Sequence, residues 1–147
     1  MSATNAAANA ILDLIFTAVT WADVAEDKVT SPATSFFVSL HTADPTETGT
    51  QVTSEAAYPA PYARIGVVRT TGGWSVTGTD PANVDNVAAI TFAEATSGSE
   101  TETHFGIGEN VSGAGNLYFF GALDSSLIVT TNVQPEFAIG ALNVTLD

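Results

Sequence analysis

Two histidines are the side chains of this sequence best suited to transfer a proton or bind a metal ion near neutral pH. His41 follows the apolar run 35–40, and His104 lies in the strand-like run 103–107. With an acid such as Asp44 they would supply three metal ligands, but no HxH or HExxH spacing is present. We therefore expect both histidines to be structural, each hydrogen-bonded locally at a strand end, and we predict no metal and no cofactor.

Covalent catalysis has little support in the sequence. There is no Cys, and no GxSxG sequence surrounds a serine; Ser112 lies in a glycine-rich stretch that reads as a turn. The sequence does not exclude a pair of carboxylates that hydrolyses glycosides, because any two of the 16 acids could meet in the fold. We predict that the chain is not an enzyme and has no catalytic residue.

The charge of the chain limits its partners. The chain has 16 acidic residues but only three basic ones, Lys28, Arg64 and Arg69, which gives a formal net charge of −13. We expect no nucleic-acid partner, because phosphate contacts need clustered Lys and Arg. Solubility is the favoured explanation of this acidity, and the alternatives are exposure on a particle surface or a partner with a basic patch. We expect no membrane partner either, because the apolar run 11–19 is interrupted and too short to span a bilayer.

Arg64 stands out because cations are so scarce. It follows Tyr62 and Ala63 at the predicted start of a strand. We expect it to form an internal salt bridge with Asp44 or Glu47, since an arginine that binds a carboxylate in a bidentate way can fix a loop. The alternative is a contact with a neighbouring protein.

The positions of these side chains depend on one helix and a set of strands. An alanine-rich start and helical spacing of apolar residues predict a helix over about residues 4–21. Its apolar face is wide and includes Ile11, Leu12, Ile15 and Phe16. Such a face either packs in the chain's own core or is shared with a neighbouring subunit, and apolar periodicity alone does not separate the two.

From residue 35 onward the pattern changes to short strands separated by turn residues. We predict a mainly β fold, an antiparallel β-sandwich or jelly-roll-like domain with one N-terminal helix, as a single domain over residues 1–147. A loop over residues 42–61 is unusually long for a compact domain, and such loops often contact partners.

An ordered set of segments resembles a family of small bacteriophage virion proteins. They are commonly labelled tail fibre proteins, and some members are capsid cement (decoration) proteins. The resemblance spans nearly the whole chain, through segments 9–16, 37–45, 47–50, 62–64, 89–92, 103–107, 115–118, 121–123 and 137–146.

The resemblance implies a structural role in the virion. We expect a trimeric cement protein on the outer capsid surface that binds and stabilises the major capsid protein shell. The alternatives are a tail fibre or tail-tip protein that contacts the host, and a small enzyme acting on host glycan. The helix face (Ile11, Leu12, Ile15 and Phe16) and the long loop (Asp44 and Glu47) are the predicted partner-binding residues.

Overall fold

A computed structural model describes residues 4–21, 32–59, 61–78 and 81–146. Within these ranges the chain is mainly β, and its one helical segment is N-terminal. The predicted fold class, mainly β of the antiparallel sandwich kind with one N-terminal helix, is confirmed. No helix of the described residues is long and apolar enough to cross a membrane.

The strands form three sheets. They are β1 (Ser35–His41), β2 (Ile65–Val68), β3 (Trp74–Thr77), β4 (Ala82–Asn86), β5 (Ile90–Thr91), β6 (Ser99–Gly108), β7 (Leu117–Thr130), β8 (Glu136–Phe137) and β9 (Asn143–Leu146). One sheet has the order β2-β1-β6-β7, the second has the order β3-β4-β9, and the third pairs β5 with β8.

The chain divides into two compact units. The first comprises Met1–Thr34, Val67–Ile90 and Phe137–Asp147, and it contains the helical segment with strands β3, β4 and β9. The second comprises Ser35–Gly66 and Thr91–Glu136, and it contains β1, β6 and β7 with their loops. The single domain expected over residues 1–147 stays a prediction.

The helix is shorter than the one predicted over 4–21. Helix α1 (Asn5–Leu12) begins after Thr4, whose hydroxyl accepts a hydrogen bond from the Ala7 N–H, and a π-helical turn (Asp13–Thr17) continues it. Ala18 ends the turn in the left-handed region at φ 56°, with no Gly or Pro to signal the end. Arg69 then donates to the carbonyls of Leu14 and Ile15, which stabilises the end of the helix.

Part of the predicted partner face lies in the core of the first unit. Leu12 is 1% exposed and Phe16 is 0% exposed. The Phe16 ring meets the buried Trp74 ring edge-on, with centroids 4.9 Å apart. Ile11 and Ile15 are only partly buried. The wide apolar face is therefore largely buried within the chain, and of its four predicted partner residues only the two isoleucines remain partly accessible to a partner.

The four-stranded sheet holds the loops of the second unit. Strand β1 pairs with β6 in antiparallel register, so that His41 lies opposite His104. Strand β6 pairs with β7, and the register shifts between Glu102 and His104 because residues 123–126 of β7 bulge out of the ladder. The described residues of 42–61 contain no helix and no ladder strand, only turns and isolated bridges.

Candidate functional site

His41 is held in one orientation by two hydrogen bonds. Its Nδ1 lies 2.8 Å from the Thr53 carbonyl oxygen, and its Nε2 lies 2.8 Å from the Ser39 hydroxyl. Because a carbonyl only accepts, Nδ1 carries the hydrogen, and Nε2 accepts from Ser39. Burial lowers the pKa of His41 below its usual value, so the ring is neutral. Its hydrogen bonds connect strand β1 to the long loop.

His104 makes a bond of shorter range. Its Nδ1 lies 2.8 Å from the hydroxyl of Thr103, its own neighbour in β6. Asp44 is exposed and accepts a hydrogen bond from the Thr46 N–H, so it does not join the two histidines. Among the described residues, no group of three His, Asp or Glu side chains is placed to hold a metal ion.

Arg64 forms an internal ion pair, but with Glu55 rather than with Asp44 or Glu47. Its Nε and Nη2 donate to the two carboxylate oxygens of Glu55 at 2.6 and 2.7 Å, a bidentate pair. The Arg64 side chain is 2% exposed and that of Glu55 is 16% exposed. The remaining donors reach the next loop, since Nη1 donates to the Asn110 carbonyl and Nη2 to the Gly113 carbonyl, each at 2.9 Å.

Gln51 connects the same two loops a second time. Its amide donates to the Asn110 carbonyl at 3.2 Å and accepts from the Asn110 N–H at 2.9 Å, and its backbone N–H donates to the Gly115 carbonyl. The Gln51 side chain is 0% exposed. Two buried polar side chains, Gln51 and Arg64, thus join the loop of residues 44–55 to the loop of residues 109–115.

A pocket of about 220 Å³ lies beside the ion pair. Its lining includes Glu55, Tyr62, Arg64, Val111 and Ser112. Drug-sized ligands usually occupy pockets of about 300–1,000 Å³, so this volume suits a single inserted side chain better. Both carboxylate oxygens of Glu55 are already paired with Arg64, which makes the acid a structural group and a poor candidate for a general base.

Glu102 is the most unusual acid of the second unit. It lies in β6 at 0% exposure, and neither carboxylate oxygen has a hydrogen-bond partner within the described part of the chain. Burial, followed by the nearby charge of Glu100, raises the pKa of Glu102 to about 7. Burial and these two acids also raise the pKa of the neighbouring Tyr58 to about 12. A carboxyl with no exposed oxygen cannot reach a substrate, so its protonation bears on stability.

Glu102→Gln is expected to remove a pH dependence of folding. The folded protein holds the Glu102 proton up to about pH 7, whereas the unfolded chain releases it near 4.5. The wild-type free energy of unfolding should therefore fall as the pH rises from about 4.5 to 7, by up to roughly 3 kcal/mol, and then stay level. The variant, which is never charged, should be more stable than wild type above pH 7 and equal to it below pH 4.5. Urea unfolding from pH 4 to 8 measures the difference.

Glu94→Gln is the matched control for that experiment, since Glu94 is an exposed acid of the same unit. Its unfolding free energy should run parallel to that of wild type across the range. If the Glu102→Gln curve also runs parallel, the buried carboxyl does not control the pH dependence.

His41, His104 and Arg64 are the structural residues predicted from the sequence, which does not single out Gln51, Glu55 or Glu102. Glu102 lies in residues 99–104, which are all polar, so no alternation with apolar residues indicates which face of the strand is buried. Gln51 and Glu55 lie in an irregular loop without periodicity, and only their three-dimensional partners distinguish them. Asp44 and Glu47 are both exposed, which leaves them accessible to a partner.

Comparison with known proteins supports the resemblance stated from the sequence. A search of the curated proteins found no match. A family model described as podophage GP4 fiber I protein gp80 matches residues 2–145. Because the match covers nearly the whole chain, the predicted relationship to phage tail-fibre-type virion proteins is confirmed. This protein belongs to the family of the podophage GP4 fiber I protein gp80.

Proposed function

We propose that the chain is a structural subunit of a phage tail fibre, which docks non-covalently on neighbouring virion proteins and catalyses no reaction. The family match over residues 2–145 carries this proposal. A fibre family implies a location in the virion. The reactive side chains fit a structural role, because His41, Arg64 and Glu55 are all engaged in contacts within the chain.

The family description supports the tail fibre over the capsid cement protein that the sequence favoured. A cement protein that binds the major capsid protein stays the alternative, because the chain has no heptad or collagen-like repeat typical of long fibres. The two functions differ in copy number and in place. Binding of the major capsid protein, a trimeric state and an outer capsid location stay predictions.

Copy number and position in purified virions test the proposal. Quantitative mass spectrometry should find few copies per particle, and gold-labelled antibody should mark the tail. Hundreds of copies with label spread over the shell would establish the cement function instead. Release of reducing ends from purified host polysaccharide by the isolated chain would contradict the absence of catalysis.

A further inference from the structure

Each of the two loops that Gln51 and Arg64 join carries an exposed valine. Val52 is 45% exposed and follows Gln51, and Val111 is 62% exposed and follows Asn110. Gln51 and Asn110 are hydrogen-bonded to each other through two bonds, which hold together the two loops that carry the valines. Val111 also forms part of the lining of the 220 Å³ pocket.

Acidic residues lie near these valines in the sequence of each loop. Asp44 and Glu47 are exposed in the first loop, and Glu109 is partly exposed at the start of the second. Glu109 is fixed in place, because its carboxylate accepts from the Tyr118 hydroxyl at 2.5 Å and from the Asn116 amide at 2.8 Å. Residues 44–55 and 109–115 contain no Lys or Arg, and Arg64, which joins the two loops, is paired with Glu55. We call Asp44, Glu47, Val52, Glu109 and Val111 the two-loop surface.

The two-loop surface is fixed before any partner binds. Gln51 and Arg64 are buried and bonded across the loops, and Thr46 and Ser54 hold left-handed backbone conformations at φ 62° and 52°. A surface that is already ordered loses less conformational entropy on binding. Exposed apolar side chains with a polar rim, placed beside a pocket, have the composition of a protein-binding site.

We propose that the two-loop surface binds a basic segment of a neighbouring virion protein, which places one side chain in the pocket beside Val111. The inference rests on the proposed structural function and adds the chemistry of the partner. Lys and Arg suit this surface, because their aliphatic stems cover the valines while their charged ends meet the acids. A second copy of the chain suits it less, because each copy has a net charge of −13.

Incorporation into particles tests this proposal. Phage that lack the chain are complemented with wild type, with Asp44→Lys/Glu47→Lys, or with Val111→Asp, and the chain in purified particles is quantified by mass spectrometry. Each variant should be incorporated about tenfold less than wild type or lower, since a like charge or a lost apolar anchor opposes docking.

Matched controls come from exposed residues elsewhere in the same unit. Glu94→Lys/Asp124→Lys makes the same charge change, and Ile128→Asp makes the same apolar-to-acid change at a residue that is 60% exposed. Both controls should be incorporated like wild type. Thermal unfolding of every purified variant establishes that a loss of incorporation does not come from a loss of folding.

The outcomes separate this inference from the proposed function. Absence of the wild-type chain from particles would overturn the proposed function. Normal wild-type incorporation together with equal incorporation of all variants would overturn the two-loop surface alone. Self-association of the wild-type chain in sedimentation, abolished by Val111→Asp, would replace the basic partner with a second copy.

Discussion

Glu55→Ala is expected to lower the free energy of unfolding by about 3–5 kcal/mol, because it leaves a buried guanidinium without its counter-ion. Arg64 is 2% exposed at its side chain and takes both oxygens of Glu55 as acceptors. After the substitution, its remaining acceptors are the carbonyls of Asn110 and Gly113, which are dipoles without a full charge. Urea unfolding with a linear fit measures the change.

Glu47→Ala is the matched control for the ion pair. Glu47 is an exposed acid of the same loop and was one of the two partners that the sequence suggested for Arg64. Its replacement should change the free energy of unfolding by less than about 0.5 kcal/mol. The double variant Glu55→Ala/Arg64→Met should recover part of the stability, because it removes both charges. Equal effects of Glu55→Ala and Glu47→Ala would show that the buried pair does not stabilise the loops.

The comparison of Glu55 with Glu47 shows where sequence reasoning reaches its limit. The scarcity of cations made an internal partner for Arg64 predictable from composition. The identity of that partner was not, because it depends on the turns that bring Glu55 across from His41 in an isolated bridge. Loop geometry of this kind arises from individual side-chain bonds, such as those of Gln51, and has no period in the sequence.

Periodicity succeeded where burial alternates cleanly. The alternation of Leu142, Val144 and Leu146 with polar residues predicts a strand, and the structure places β9 at Asn143–Leu146. Strand β4 (Ala82–Asn86) lacks such a signal, because Pro81 and Asn83 are typical of a turn and its buried positions include the polar Asn86. Asn86 is 2% exposed and uses its amide to bind backbone groups of Ala88, Ala138 and Leu142. Ala138 and Leu142 lie 52 and 56 residues away in the sequence, so these contacts could not be foreseen.

The predicted strand boundaries differ from the observed ones for a related reason. The apolar pattern of the sequence predicts two separate strands, over residues 117–123 and 127–129, whereas β7 is continuous over Leu117–Thr130. The polar residues 124–126 between these two segments belong to the bulge opposite β6. A bulge and a turn have similar composition, because both expose a few residues that pair with nothing on the next strand.

Phe16→Ala is expected to destabilise the first unit by about 3–5 kcal/mol, the usual cost of removing a fully buried aromatic ring. Phe16 is 0% exposed and packs edge-on against Trp74, which is also 0% exposed. The cavity left behind would remain, because the ring lies between the π-helical turn and strand β3. Thermal and urea unfolding measure the loss, and near-ultraviolet circular dichroism reports the environment of Trp74.

Val19→Ala provides the comparison, since Val19 lies just beyond the helical segment and is 49% exposed. It should change stability by less than about 0.5 kcal/mol. If Phe16→Ala costs no more than Val19→Ala, the helical segment does not depend on this core contact, and its apolar face is available to a neighbouring subunit. The predicted cost also implies that deleting residues 2–20 would remove part of the core itself, so that a test of partner binding by the helix must use the partly buried Ile11 and Ile15 instead.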